Sequence, residues 1–168
     1  MMKKLLLIFA LITMVSCGST KRVAPKKTYK KPRTSTSSSQ PSLADKVVWT
    51  AVSYKGTPYR LGGTSKSGMD CSGLIYTSFK KRNVNLARTS RAMYQQGQPI
   101  PLQKVKRGDL LFFKTSRKRG KVNHVGLVTS VKNRTIYFIH STSSRGVLVS
   151  SLRERYWNRA FIKAKRVL

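Results

Sequence analysis

Residues 42–54, SLADKVVWTAVSY, carry apolar Leu43, Val47, Val48, Ala51 and Val52 at helical spacing behind a polar start. Ser42, followed three positions later by Asp45, resembles a capping box with Asp in place of the usual Glu. The pattern predicts a helix to about Tyr54, stopped by Gly56 and Pro58. Residues 56–69, GTPYRLGGTSKSGM, predict a glycine-rich loop. In the run that follows, Leu74, Ile75, Ser78 and Phe79 fall on one face, which predicts a second helix from Cys71 to about Arg82 with Asp70 as its N-cap. Asn83 and Asn85 break it, and a short helix from Thr89 or Ser90 carries Ala92, Met93 and Tyr94.

Beyond Gly97 and Pro99 the period changes. Alternating or continuous apolar runs predict strands at about 109–114, 123–131, 135–140, 146–151 and 159–167, with residues 115–122, TSRKRGKV, as a basic connection. Helices first and strands afterwards indicate an α+β fold: N-terminal helices packed on an antiparallel sheet of about five strands. No internal repeat is visible.

The first 41 residues do not share this patterning. MMKK and an apolar run of 11 residues, Leu5–Val15, have the form of a signal peptide, and the run is too short to span a bilayer as a mature helix. It ends in Met14-Val15-Ser16-Cys17, which resembles a bacterial lipoprotein processing site, with Met14 where such sites usually carry Leu. The expectation is that residues 1–17 are a lipoprotein signal ending at a lipidated Cys17, the lipid holding the mature protein at a membrane. An ordinary cleaved signal or an uncleaved anchor are the other readings. Residues 18–41 hold seven cations (Lys21, Arg22, Lys26, Lys27, Lys30, Lys31, Arg33) among Ser, Thr and Pro, with no acid, and are expected to be a disordered linker. One domain then occupies residues 42–168.

Charge adds a partner class. Lys and Arg number 35 against 4 acids, a net charge of +31, which predicts attraction to polyanions such as anionic lipid or cell-wall polymer. It also allows a plain solvated surface. No nucleic-acid recognition motif accompanies the charge, so no specific nucleic-acid partner is expected. With Cys17 lipidated, one thiol is left, at Cys71, and no disulfide.

Cys71 follows an expected N-cap, so its sulfur meets unpaired backbone N–H groups and the positive end of the helix dipole, both of which favour thiolate. The chain has two histidines, His124 and His140, on successive predicted strands. A three-residue connection at Lys132-Asn133-Arg134 sets Val131 against Thr135 and Gly126 against His140, which puts both imidazoles on one face. A register error of one residue would separate them. If the Cys71 helix packs over that face, His124 takes the thiol proton and holds the thiolate as an ion pair, and His140 fixes the tautomer of His124. Against this stand a buried structural cysteine, structural strand histidines, and a zinc site, for which neither CxxC nor HxxxH spacing is present.

PYRLGG (58–63), DCSGL (70–74), RTS (88–90), GDLLFF (108–113), NHVGLV (123–128) and FIHS (138–141) occur in the order and at the spacing of the NlpC-type cell-wall peptidases, papain-like cysteine peptidases of bacteria. The resemblance covers about residues 44–168. It implies a papain-like core and hydrolysis of peptidoglycan stem peptides, typically between γ-D-glutamate and diaminopimelate or lysine, with no cofactor and no metal. By position, Cys71 is similar to the nucleophile, His124 to the general base and His140 to the polar third member. Tyr59 resembles a substrate-pocket residue, and Asp70 and Ser72 resemble groups that contact the substrate's free amine or backbone. Leu61 departs from the aromatic many relatives carry there, and no accessory domain is expected. The resulting expectation is a monomeric enzyme, lipid-anchored in the cell envelope, at the outer membrane facing the periplasm. Competing functions are a non-catalytic basic lipoprotein that binds anionic polymer, and a papain-like acyltransferase or thioesterase.

Overall fold

Ser42 caps the first helix with both halves of the predicted box: its Oγ accepts from the Asp45 N–H (3.1 Å) and Asp45 Oδ2 accepts from the Ser42 N–H (3.2 Å). A cap of this kind contributes about 1 kcal/mol. The computed structural model describes residues 40–116 and 122–168. The expected signal segment with Cys17, the expected linker up to residue 39, and residues 117–121 of the basic connection lie outside the described residues.

Helix α1 is Leu43–Val52. It buries Val47, Val48 and Ala51, whereas Leu43 and Val52, expected on the same face, sit at its margins and are exposed. Inside the glycine-rich loop, β1 (Thr64–Ser65) and β2 (Gly68–Met69) form a small hairpin. Helix α2 is Cys71–Lys80, with Leu74, Ile75, Ser78 and Phe79 buried as the period required. Helix α3 is Ser90–Met93, capped by Thr89 Oγ1.

The sheet is built from β3 (Gln98–Ile100), β4 (Leu110–Phe113), β5 (His124–Lys132), β6 (Thr135–Thr142), β7 (Gly146–Ser151) and β8 (Phe161–Arg166). The order is β3-β8-β4-β5-β6-β7, and every pairing is antiparallel. The sixth strand is β3, which contains Pro99. Proline disqualifies a run as a central strand but is tolerated at an edge, where β3 lies. A fourth helix, α4 (Arg155–Ala160), takes the start of the strand expected from 159, so β8 begins at Phe161.

The sheet is covered on both faces, which is why β4 reads as unbroken apolar sequence. Leu110 and Phe112 join Val47, Leu74 and Phe79 from α1 and α2. Leu111 and Phe113 join Val128, Phe138 and Trp157 on the opposite face, under α4. Each buried Leu or Phe contributes about 1.5–3 kcal/mol, so the two faces together fix which strand residues point where.

The β5–β6 hairpin differs from expectation twice, and the differences cancel. Its loop is two residues, Asn133-Arg134, both with positive φ (48° and 59°), so Lys132 rather than Val131 stands opposite Thr135. Two left-handed residues match the twist of flanking strands. A register irregularity between Val128 and Ser130 then takes up one residue, and Leu127 pairs with Ile139. The next step brings Gly126 against His140, the expected match. A Cβ on Gly126 would run into the Phe138 ring, which closes against the strand there.

Candidate active site

Cys71 is the first residue of α2, and Asp70 caps that helix through Oδ1, which accepts from the Gly73 N–H (2.6 Å). The glycine-rich loop crosses this turn. A Cβ on Gly73 would collide with the Gly63 carbonyl, and Gly62 donates its N–H to Asp70 Oδ2 (2.8 Å). Arg88 clamps the same carboxylate with both terminal nitrogens, Nη1 to Oδ1 (3.1 Å) and Nη2 to Oδ2 (2.9 Å), and Ser72 Oγ donates to Oδ1 (3.1 Å). Burial alone would push Asp70 up. The hydrogen bonds and charge of Arg88, with the Gly73 and Gly62 N–H groups, outweigh it and hold the carboxyl below its ordinary range. With five donors on two oxygens, Asp70 fixes the loop, the helix start and Arg88 in one unit.

His124 Nε2 lies 3.0 Å from His140 Nδ1, so the structure brings the predicted imidazole pair into direct contact. Their face differs from expectation. The rings do not lie under α2; they pack into the cluster on the opposite side of the sheet. Trp157 stacks on His124 (centroids 5.2 Å, planes 23° apart) and stands edge-on to His140 (4.4 Å), with Phe113 and Phe138 around them. Cys71 packs against the α1/α2 cluster. Thiol and imidazole therefore come from opposite faces of the sheet at the start of β5, where both line one cavity of about 450 Å³ with Tyr59.

The expected thiolate also gives way. Burial pushes the Cys71 thiol up, and the Asp70 charge adds to this. N–H groups of Val125, Ser72 and Cys71 pull the other way. A helix end contributes about 0.3–1 kcal/mol, less than one pKa unit at 1.36 kcal/mol, whereas burial can move a group by several units. Burial also lowers His124 to about 4, and burial with the charges of His124 and Arg145 lowers His140 to about 2. The resting pair at neutral pH is thiol and neutral imidazole. Tyr59 is raised by burial, and by the charge of Asp70 and of Cys71 once that thiol ionises at alkaline pH, and so stays a phenol.

A second depression of about 440 Å³ meets the first at Cys71 and Tyr59, and is bounded by Asp70, Ser72, Arg88 and Leu61. Five of the six residues expected at the site, Cys71, His124, Tyr59, Asp70 and Ser72, thus surround two joined hollows, and the sixth, His140, lies wholly buried behind His124. Two contributors carried no assigned role in the sequence. Arg88 had one usable signal, a buried N-cap acid in a chain with few acids. Trp157 had none, because its stacking partners lie on strands distant in sequence. Ser141 Oγ donates to the Met69 carbonyl (2.7 Å), tying β6 to the residue before the cap. Among the described residues, no three His, Cys, Asp or Glu side chains converge as a metal site.

Helices α1, α2 and α3 on one face of an antiparallel sheet, with a thiol at a helix head sharing a cavity with an imidazole carried by a strand, are the papain-like arrangement, and the chain is a papain-like α+β protein. Within that class it belongs to the NlpC/P60 family, whose profile matches residues 56–166. It is 34% identical over 135 residues to a probable endopeptidase NlpC homolog of Haemophilus influenzae, covering 79% of this chain and 68% of that one. It is 34% identical over 116 residues to the murein DD-endopeptidase MepS/murein LD-carboxypeptidase of Escherichia coli, covering 68% and 58%. The crystal structure of an NlpC/P60 family protein from Bacillus cereus superposes with a TM-score of 0.68 at 29% identity, covering 76% of this chain and 41% of that one.

Proposed function

We propose that the chain is a cysteine endopeptidase of the cell envelope that hydrolyses peptidoglycan stem peptides, at the bond between γ-D-glutamate and diaminopimelate or lysine. The observation that carries this is the shared cavity of Cys71 and His124, with His124 bonded behind to His140. The bond consumes His124 Nε2. If His140 Nδ1 accepts that proton, His124 Nδ1 is left unprotonated and able to receive another. The proton of His140 then sits on Nε2, which is buried without a partner.

Cys71 gives its proton to His124 as sulfur bonds to the scissile carbonyl carbon. The imidazolium returns the proton to the leaving amine as the C–N bond breaks. Water, deprotonated by His124, then cleaves the thioester and regenerates the thiol. N–H groups at the head of α2 face the developing oxyanion. The substrate's free amine is received in the hollow bounded by Asp70, Ser72 and Tyr59. The E. coli relative's name points to a second bond, the D,D cross-link. In either bond the departing amine belongs to a diamino acid.

Digestion of purified cell wall, followed by mass spectrometry of the muropeptides, tests the proposal. New fragments ending in γ-D-glutamate are expected. An unchanged profile, or cleavage elsewhere alone, overturns it. Cys17 is proposed as the lipid-bearing residue on the strength of the basic start, apolar run and small residues before it. Labelled palmitate should enter the wild-type protein and not Cys17→Ala; equal labelling would contradict the anchor.

A further inference from the structure

The leaving amine must depart beside the imidazole that protonates it. The hollow lined by His124 therefore receives the departing diamino acid, and the hollow bounded by Asp70 and Arg88 receives the acyl part. This assignment rests on the peptidase reading above. At the leaving-group hollow stand two groups of opposite charge that the reaction does not use: Arg145, at the β6–β7 turn, and Glu154, ahead of α4.

Their isolation is unusual for this chain. The three aspartates each pair with an arginine: Asp45 with Arg107, Asp70 with Arg88, Asp109 with Arg166. Among the described residues, neither Arg145 nor Glu154 forms an ion pair. Arg145 bonds through its backbone, its N–H donating to Thr142 Oγ1, and its side chain is exposed. Arg145 lines the hollow together with His124 and Glu154. Glu154 uses Oε1 to accept the Ser151 N–H (2.7 Å), which pins the carboxylate at the rim.

We infer that this hollow is a subsite for diaminopimelate in preference to lysine, with Arg145 the residue that reads the extra carboxylate. The two amino acids differ in that carboxylate: the far end of diaminopimelate carries ammonium and carboxylate on one carbon, and that of lysine carries ammonium alone. An arginine fork matches a carboxylate and gains nothing from an ammonium. Glu154 faces the ammonium that both share.

Rates on L-Ala-γ-D-Glu-meso-diaminopimelate and L-Ala-γ-D-Glu-L-Lys test this. Wild type is expected to favour the first in kcat/KM by about tenfold or more, the scale of one charge-assisted hydrogen bond. Arg145→Gln should bring the ratio towards one. Glu154→Gln retains the acceptor for Ser151 and should lower both rates while leaving the ratio. A wild-type ratio within about twofold of one, or a ratio unmoved in Arg145→Gln, overturns the inference and leaves the peptidase reading standing. Failure of wild type to cut either peptide overturns both. Melting curves separate misfolding from lost recognition, and rescue of the ratio by Arg145→Lys would argue for charge alone over the planar fork.

Discussion

Cys71→Ala is expected to reduce kcat/KM on a stem peptide by at least about 10³-fold, because removing a nucleophile leaves only binding and oxyanion stabilisation. Its melting temperature should stay close to wild type. The sulfur is largely buried at the margin of the α1/α2 cluster, and the contacts that fix the head of α2 come from Asp70, Gly73, Gly62 and Arg88 rather than from the thiol. Losing one sulfur atom at the edge of a cluster, with Cβ kept, changes stability by about 1 kcal/mol. Steady-state kinetics and thermal unfolding on one preparation check both halves. Retained activity would move the nucleophile elsewhere.

The histidine pair should divide unequally. His124→Ala removes the proton acceptor, and general base catalysis of this type contributes about 10²–10⁴-fold. His140→Leu removes the partner of His124 Nε2 but leaves Trp157 stacked on the ring and Phe113 beside it, so a smaller loss, about 10–10²-fold, is expected. The same residues set acid stability. His124 and His140 titrate at about 4 and about 2 in the folded chain, against an ordinary 6.5. Below pH 6.5 the unfolded chain therefore binds protons that the folded chain refuses. Stability is at its full value above that pH and falls as the pH drops towards 4, by up to about 1.4 kcal/mol per pH unit for each ring. His140→Leu should roughly halve the histidine part of this slope in urea unfolding between pH 6.5 and 4.5. An unchanged slope would mean the ring is not held neutral by burial. Equal kinetic losses for the two substitutions would remove the distinction between base and orienting group.

The elements that build this site were largely legible, for a physical reason: each rests on local chemistry. Ser42 and Asp70 bond within their own first turns, and the helical stripe of α2 is a property of ten consecutive residues. The juxtaposition of His124 with His140 was legible too, though the route to it was not. A shorter loop and an irregularity near Thr129 each shift the register by one residue, and only their sum survives at the histidines. What escaped depends on distant contacts. Pro99 hid an edge strand. Trp157 sits in a short helix whose purpose appears only when β5 and β6 bring both imidazoles beneath it. At Cys71 the dipole of the helix can be read from sequence, whereas the burial that pushes the thiol up cannot.

Transfer of an acyl group onto one particular sulfur is the step on which this account stands. An aryl ester of L-Ala-γ-D-Glu, mixed with the enzyme and quenched in acid, should acylate faster than it hydrolyses and accumulate on the protein. Peptide mapping by mass spectrometry is predicted to find the dipeptidyl group on Cys71. Acylation of another residue, or turnover of the ester with no adduct at Cys71, would contradict it.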